Sequence, residues 1–277
     1  AFVYREHMPS EVIGLDGGDL GRKDEARFSM LEKLADHDDQ LMEQLLEDIP
    51  PPRDAVFDDL AREVRDGQIC PVLLGSALRS NGVLRLMKAL RHEAPGVAGT
   101  ARRLGLGGNG ETVAYVMKTA HLQHGGKLSL VRVLSGQIDD NAAVVASDGG
   151  SGKVSGIAAV ALGIGERRGS AVAGEVVALG KLDQIATGAL LTTGKAVPQA
   201  MIDVAPPPGV LALAIAATER KDDVKLGQAL ARLTEEDPSL SVVNDPVSHE
   251  TVLWGQGEMH LRVALERLHD RFGVEIG

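Results

Sequence analysis

The sequence predicts a multidomain α+β protein with three successive parts: the C-terminal part of an α/β domain, a β-barrel, and a ferredoxin-like split β-α-β domain. Three observations support this prediction. The hydrophobic spacing is helical up to residue 93, becomes strand-like from residue 112, and mixes both periods after residue 205. Gly- or Pro-rich stretches mark both changes, at 105–110 and 206–208. The length of 277 residues suits two or three cores. The predicted domains are 1–96, 97–204 and 205–277.

The first part alternates helices with one apolar run. Helical spacing of leucines predicts a helix over 24–47, broken near residues 37–39. Further helices are predicted over 53–65 and 81–93, and a strand buried on both sides over 70–74. Cys70 opens that strand, so we expect a buried structural thiol. As the single cysteine, it excludes an internal disulfide and favours a reducing, cytoplasmic setting.

The middle part follows a Gly-rich linker predicted over 96–111. Short strand-like runs separated by Gly or Asp then recur at close spacing, which is typical of a closed or nearly closed barrel. The predicted strands are 113–116, 127–133, 142–146, 154–162, 171–179 and 189–193.

The last part begins after the prolines at 206–208. Its elements are predicted in the order β-α-β-β-α-β, which is that of a ferredoxin-like split fold. The predicted ranges are strand 210–217, helix 222–236, strands 240–243 and 251–254, helix 258–271, and the start of a strand at 274.

The net charge of −10 is concentrated at the front of the chain. Residues 1–66 hold 18 Asp and Glu against 8 Lys and Arg, whereas the rest holds 21 of each. Such a segment repels nucleic acid and attracts a basic protein. Solvated acidic helix faces explain the same charge, and both interpretations stay open.

Two glycine-rich stretches imitate nucleotide motifs without their context. The stretch 105–110 has G-x-G-x-x-G spacing, but a linker precedes it and a strand follows it, so it is predicted to be flexible linker. The stretch 147–153 lacks the first glycine of a phosphate loop, and Val154 replaces the magnesium-binding hydroxyl. A hairpin turn is predicted there.

No catalytic or metal-binding residues are predicted. His121 and His124 lack the partners of a zinc site, and no nucleophile has a suitably placed base. The acidic residues 235–237 close a helix before Pro238, and a solvated helix end accounts for them.

The loop Ser76, Ala77 and Leu78 follows the predicted strand and precedes a helix. Ligands bind at the carboxyl ends of strands in open α/β sheets, and small residues let backbone amides approach a planar base. A helix cap by Ser80 or Asn81 is an equally good explanation of this loop.

No run of eighteen apolar residues occurs, so we expect no membrane span, and the first residues do not resemble a signal peptide. Because the sequence opens on an apolar segment without Met, we expect an internal piece of a longer protein.

Several of these segments resemble the elongation factor G family. The segment Pro-Val-Leu-Leu-Gly-Ser-Ala-Leu at 71–78 resembles the family's fifth guanine-nucleotide motif, and 128–136 resembles the strand and turn of its barrel. The most specific matches are Gln-Ala-Leu-Ala-Arg-Leu-Thr-Glu-Glu-Asp-Pro at 228–238 and Gly-Gln-Gly-Glu-Met-His-Leu at 255–261.

The resemblance implies roles for the three parts. Residues 1–96 would be the end of the α/β GTPase domain with its inserted helical subdomain, followed by the family's barrel and third domain. Ser76, Ala77 and Leu78 would then line the guanine base. The acidic segment would lie near a basic stalk protein of the ribosome. The barrel would touch small-subunit RNA, with Arg132, Lys153, Arg167 and Arg168 as candidates.

For the whole protein, the resemblance implies binding and hydrolysis of GTP with magnesium, coupled to ribosomal translocation by a cytoplasmic monomer. The phosphate loop, the switch regions and the last two domains are absent, so we expect this segment neither to bind GTP or GDP nor to hydrolyse GTP. The Ala- and Gly-rich stretch 154–174 departs from the family and leaves open a divergent paralogue. A ribosome-protection or release-type GTPase and a non-catalytic ribosome-binding adaptor are the alternatives.

Overall fold

The computed structural model describes residues 2–5, 8–106, 111–122, 126–160, 163–195, 197 and 205–277. The chain forms two compact units, Ala1–Pro95 and Gly96–Gly277. The predicted boundary at 204 lies outside the described residues, as do His124 and residues 107–110.

The first unit is mainly helical. A small antiparallel hairpin that the sequence did not predict comes first, and four helices follow it. The elements are β1 (Phe2–Arg5), β2 (Met8–Val12), α1 (Gly17–Ala35), α2 (Asp39–Leu46), α3 (Arg53–Asp66) and α4 (Val83–Glu93). The predicted break after α1 is confirmed, because Asp38 begins a new helix by accepting hydrogen bonds from the N–H groups of Gln40 and Leu41.

Three of these helices share a small core. Leu31 and Leu34 of α1, Leu41 of α2 and Val56 of α3 are buried together. Their spacing on each helix is the apolar stripe that the sequence predicted.

The predicted strand at 70–74 is wrong. These residues have no strand structure, and all of them are exposed, including Cys70. Val72 and Leu74 are 85% and 87% exposed. An apolar run becomes a strand only when a neighbouring strand pairs with it, and no described strand of this unit does so. The expectation of a buried thiol at Cys70 is wrong for the same reason.

The second unit opens with a helix where a linker was expected. Helix α5 (Val97–Arg103) packs Ala101 into a small cluster with Leu106, Leu134 and Leu190. Ten strands follow in the described part of this unit: β3 (Val113–Leu122), β4 (Gly126–Ser135), β5 (Gln137–Asp139), β6 (Ala143–Ala146), β7 (Ser151–Lys153), β8 (Ile157–Val160), β9 (Ile164–Arg168), β10 (Ser170–Val172), β11 (Val176–Gly180) and β12 (Leu190–Thr192). Eight of them form a curled antiparallel sheet, in which β7-β6-β12-β3-β4-β11-β8-β9 are neighbours in that order.

The sheet wraps around one apolar core as a half-barrel. Strands β5 and β10 pair separately, and the outer strands β7 and β9 are not paired with each other in the described part of the chain. Val116, Val131, Ile157 and Leu179 are completely buried in the core. The turn at 147–150 joins β6 to β7, so the predicted hairpin is confirmed.

The second unit ends in a split α/β domain with its own core. The elements are β13 (Leu211–Ile215), α6 (Asp223–Glu236), β14 (Ser241–Asn244), β15 (Thr251–Gly255) and α7 (Glu258–Phe272). The strands lie in the order β13-β15-β14, and Ala217 bridges to Ile276. Leu230 and Leu233 of α6 meet Leu261 and Leu268 of α7 over Leu253. The predicted order of elements is confirmed.

None of the described helices is long and apolar enough to cross a lipid bilayer.

Candidate functional site

The loop from Gly75 to Gly82 is a small closed structure. The Ser76 N–H donates to the carbonyl of Asn81 at 2.9 Å, and the Asn81 N–H donates to the carbonyl of Ser76 at 3.1 Å. These two bonds hold the ends of the loop together, so its tip has a defined shape.

Both ends of this loop require glycine. A Cβ on Gly75 would lie 2.7 Å from the carbonyl oxygen of Asn81, and a Cβ on Gly82 would lie 2.6 Å from that of Leu74. Gly82 also has a φ of +76°, which side chains disfavour. The two backbone segments at the ends of the loop therefore lie so close together that any residue with a side chain at position 75 or 82 would clash.

The tip presents Ala77 and Leu78 outward. Leu78 is 94% exposed, and Ser76 is half-buried at the base of the loop. The N-cap residue of α4 is Gly82, and no side-chain hydrogen bond from a described residue caps this helix. The alternative interpretation, in which Ser80 or Asn81 caps the helix, is therefore wrong. The loop offers backbone groups and a small apolar surface, which suit one edge of a planar ring.

The four basic barrel residues lie on three strands. Arg167 and Arg168 adjoin on β9, whereas Lys153 is at the end of β7 and Arg132 lies within β4. Arg168 is already paired with Glu175 at 2.6 Å. Glu175 accepts from the Val172 N–H and from Arg168, and these bonds lower the pKa of its carboxyl. Arg167 is exposed beside Gly156.

A polar cluster that the sequence interpretation missed joins the half-barrel to the split domain. Glu235 Oε2 lies 2.6 Å from His121 Nε2, and Glu235 Oε1 accepts from the buried ammonium of Lys127. Glu236 is only 7% exposed and accepts from the His121 N–H at 2.6 Å. The expectation that residues 235–237 form a solvated helix end is wrong.

Arg271 of α7 completes the cluster. Its guanidinium makes two hydrogen bonds to Glu236, at 2.7 and 2.9 Å, and a third to the carbonyl of His121 at 2.6 Å. Burial acts to raise the pKa of Glu236, but the bonds from Arg271 and His121 prevail, and the pKa lies below its usual value.

A signal for Glu236 was present in the sequence. The buried positions of α6 are Leu226, Ala229, Leu230 and Leu233, and Glu236 follows three residues later on the same stripe. Burying an acid is costly unless its carboxylate is hydrogen-bonded, so the helical spacing marks Glu236 as an acid for which a partner is expected.

A second polar cluster lies where α6 ends. The Gln256 N–H donates to His260 Nδ1 at 3.0 Å, and His260 Nε2 lies 3.0 Å from the carboxylate of Asp237. The neutral ring with its proton on Nε2 satisfies both bonds. Asp237 also accepts from the N–H and hydroxyl of Ser239. Burial acts to raise the pKa of Asp237, but these bonds lower it overall.

The first unit contains an acidic cluster of a different kind. Asp38, Arg62 and Asp59 form an ion-paired row between α2 and α3. The neighbouring Glu63 is fully buried, and neither of its carboxylate oxygens has a hydrogen-bond partner among the residues that the structure describes. Burial, followed by the charge of Asp59, raises the pKa of Glu63. Within the described ranges, no group of three or more His, Cys, Asp or Glu side chains could hold a metal ion.

Comparison with known proteins agrees with this architecture. Residues 206–277 match the family described as elongation factor G, domain III. An elongation factor G-like protein from Synechocystis sp. is 38% identical in an alignment of 275 residues that covers 98% of this chain and 40% of that protein. An elongation factor G-like protein from Mycobacterium tuberculosis is 31% identical over 289 residues, covering 93% of this chain and 40% of its own length.

The fold comparison gives the same result. A crystal structure of a protein from Thermus thermophilus matches 100% of this chain with a TM-score of 0.80 and 27% identity, and the match covers 41% of that protein. The chain thus spans about two fifths of the length of these relatives. Sequence and fold agree over nearly the whole chain, and the chain belongs to the elongation factor G family of translational GTPase-like proteins.

Proposed function

We propose that the protein containing this chain binds GTP with magnesium, hydrolyses it on the ribosome in the cytoplasm, and uses the cycle to drive translocation. Family membership supports this proposal, because it extends along the chain from the loop at 75–82 to the split domain. The relatives from Synechocystis sp. and Mycobacterium tuberculosis carry the name elongation factor G-like protein, which favours a specialised member of the family.

We infer that this chain contributes one edge of the guanine pocket. The closed geometry of the loop from Ser76 to Asn81 is the observation that supports this role. A base edge needs backbone groups at fixed positions and no bulky side chain in front of them. The two cross-loop bonds and the two tightly packed glycines provide both.

The half-barrel is proposed to contact small-subunit RNA. Arg167 and Lys153 are exposed on the outer strands, and neither forms an ion pair with a residue that the structure describes. Because Arg168 is paired with Glu175 and Arg132 is half-buried in β4, they are weaker candidates for phosphate contacts.

The acidic helices of the first unit are proposed to bind a basic stalk protein. Glu32, Glu43 and Asp58 are exposed on α1, α2 and α3. A cleft of about 310 Å³ lies in the same unit, where the apolar Phe28, Leu31, Leu45 and Ile49 line it together with Asp24, Arg27 and Asp48. Exposed acids, together with a largely apolar cleft that two acids line, suit an amphipathic basic partner.

Calorimetric titration with Mg·GTP and Mg·GDP tests the proposed pocket. The isolated 277-residue chain should give no measurable binding, because amides and a lysine around the phosphates supply most of the affinity in such sites. In the whole protein, Ala77→Asp should weaken GTP and GDP about tenfold and equally, since both share the base.

Ala55→Asp is the matched control, because it places the same carboxylate on an exposed position of α3. It should leave both affinities unchanged. Micromolar binding by the isolated chain would reveal a phosphate site elsewhere in it. Unchanged affinity in the Ala77→Asp protein would place the base edge elsewhere.

A further inference from the structure

The end of the hairpin formed by β3 and β4 carries two basic side chains next to each other. His121 and Lys127 are directly opposite in the register of the two strands. Opposite residues of an antiparallel pair project from the same face, about 4.5–5.5 Å apart. Both side chains reach Glu235 of α6, so one carboxylate binds both strands of the hairpin.

Lys127 is an anchor with no spare hydrogen-bonding capacity. Its side chain is 3% exposed, and its ammonium donates to the carbonyls of Ile185 and Asp183 as well as to Glu235. An ammonium has three donors, so all three are used. Two of them hold Lys127 in the half-barrel, and the third extends to the split domain.

Glu236 and Arg271 form hydrogen bonds with the backbone of the same hairpin. The N–H of His121 donates to Glu236, and its carbonyl accepts from Arg271. The two charged side chains are themselves joined by a bidentate pair. Bidentate charged contacts are directional, so they fix an angle, whereas an apolar contact permits sliding.

We infer that Glu235 and Glu236 form an electrostatic latch that holds the split domain and the half-barrel as one body, and that opening it frees the split domain to reorient. The latch consists of Glu235 and Glu236 with His121, Lys127 and Arg271. Its contacts converge on the hairpin end and on the loop after β11, where Thr187 donates to the carbonyl of Glu235 at 3.2 Å. The inference concerns the unit Gly96–Gly277 and does not depend on the proposed function.

Distance distributions between two spin labels test the latch in the full chain. The exposed Cys70 is first replaced by serine, and labels are attached at Glu166→Cys on β9 and Arg267→Cys on α7, both exposed. The parent should give one narrow distribution. Glu235→Gln combined with Glu236→Gln removes both charges without changing side-chain size, and should broaden the distribution at least twofold.

Glu266→Gln is the matched control, because Glu266 lies on α7 and pairs only with Arg262 of the same helix, at 3.3 Å, among the residues that the structure describes. Its distribution should equal that of the parent. Fluorescence of Trp254, the only tryptophan, reports whether the split domain stays folded. If the double variant unfolds, the two single variants carry the test. A distribution as narrow as that of the parent in every folded latch variant would overturn the inference.

Discussion

At the scale of single residues, the protein buries two glutamates in opposite ways. Glu236 receives three hydrogen bonds from Arg271 and His121, so it is stable as a carboxylate and its pKa is lowered. Glu63 is fully buried without any hydrogen-bond partner among the described residues, so burial raises its pKa. The two pKa values shift in opposite directions because Glu236 has hydrogen-bond donors beside its carboxylate and Glu63 has none among the described residues, although both are buried.

Glu63→Met should therefore raise the free energy of unfolding of the first unit at pH 7 by about 1–2 kcal/mol, because an apolar side chain of similar length needs no partner. The effect should depend on pH. A raised pKa means that Glu63 stabilises the fold below about pH 4.5, its unfolded value, and that this stability is lost as pH rises through the folded value. Urea titrations followed by circular dichroism at pH 7 and pH 4 measure both.

The increase in the free energy of unfolding caused by Glu63→Met should be smaller at pH 4, because Glu63 is then protonated in the folded chain and its burial costs less. Glu43→Met on the exposed side of α2 is the control and should change stability little at either pH. A loss of stability at pH 7 in the Glu63→Met chain would show that this carboxyl has a favourable partner.

At the scale of elements, the short helix α2 depends on how it begins. It has only eight residues, and isolated helices of that length are unstable. The carboxylate of Asp38 accepts from two backbone N–H groups at its start and pairs with Arg62 of α3. One side chain thus begins one helix and attaches it to the next. The Leu41 and Arg62 bonds lower the pKa of Asp38.

Asp38→Ala should destabilise the first unit by about 1–2 kcal/mol, the usual effect of losing a helix cap. Asp38→Asn keeps an acceptor for the N–H groups and removes only the charge, so its loss of stability should be less than half that of Asp38→Ala. Asp39→Ala, an exposed position in the same turn, should be nearly neutral. Thermal unfolding followed by circular dichroism orders the three. Equal losses for Asp38→Ala and Asp39→Ala would contradict the capping role.

At the scale of the whole molecule, the concentration of negative charge in residues 1–66 supports the proposed contact with a basic stalk protein. Among the acids of the first unit, Asp38 and Asp59 are committed to Arg62, and Asp59 is 6% exposed. Reversing either charge would break these ion pairs and destabilise the helices, so a change in affinity would not report on binding alone. The exposed Glu32, Glu43 and Asp58 are the acids that a basic partner can reach.

Replacing Glu32, Glu43 and Asp58 together by lysine should weaken binding to purified ribosomal stalk protein by tenfold or more at low salt. The affinity of the unmodified chain should fall as salt rises through about 0.1–0.2 M, where screening shortens to roughly 8–10 Å. Surface plasmon resonance at three salt concentrations measures both effects.

The control places the same charge change on the second unit, at the exposed residues Glu166, Glu250 and Glu266. Those replacements should leave the affinity unchanged. Equal weakening by both triple variants would mean that net charge alone, and not the acidic helices, governs association.

Local patterns predicted most of the elements. Apolar stripes at helical spacing defined α3, α6 and α7 to within one or two residues, and the short strand-like runs separated by Gly or Asp predicted the sheet around its valine-rich core. Gly and Pro marked the turns, including the hairpin at 147–150. These features depend on neighbours within a few positions, so the sequence by itself determined them.

Features that depend on distant partners were decided only by the tertiary structure. The run 70–74 has a strand composition but no paired neighbour among the described strands, and α5 replaces a predicted linker because Ala101 finds apolar contacts around Leu134. The loop at 76–78 was predicted as a candidate, but its closure depends on packing between Gly75 and Gly82. The latch joins His121 to Arg271, 150 positions apart, and no local pattern encodes that contact. The composition of a segment limits the secondary structure that it can form. Whether a buried charge is stabilised, or an apolar run becomes a strand, depends on the residues that the tertiary structure places next to it.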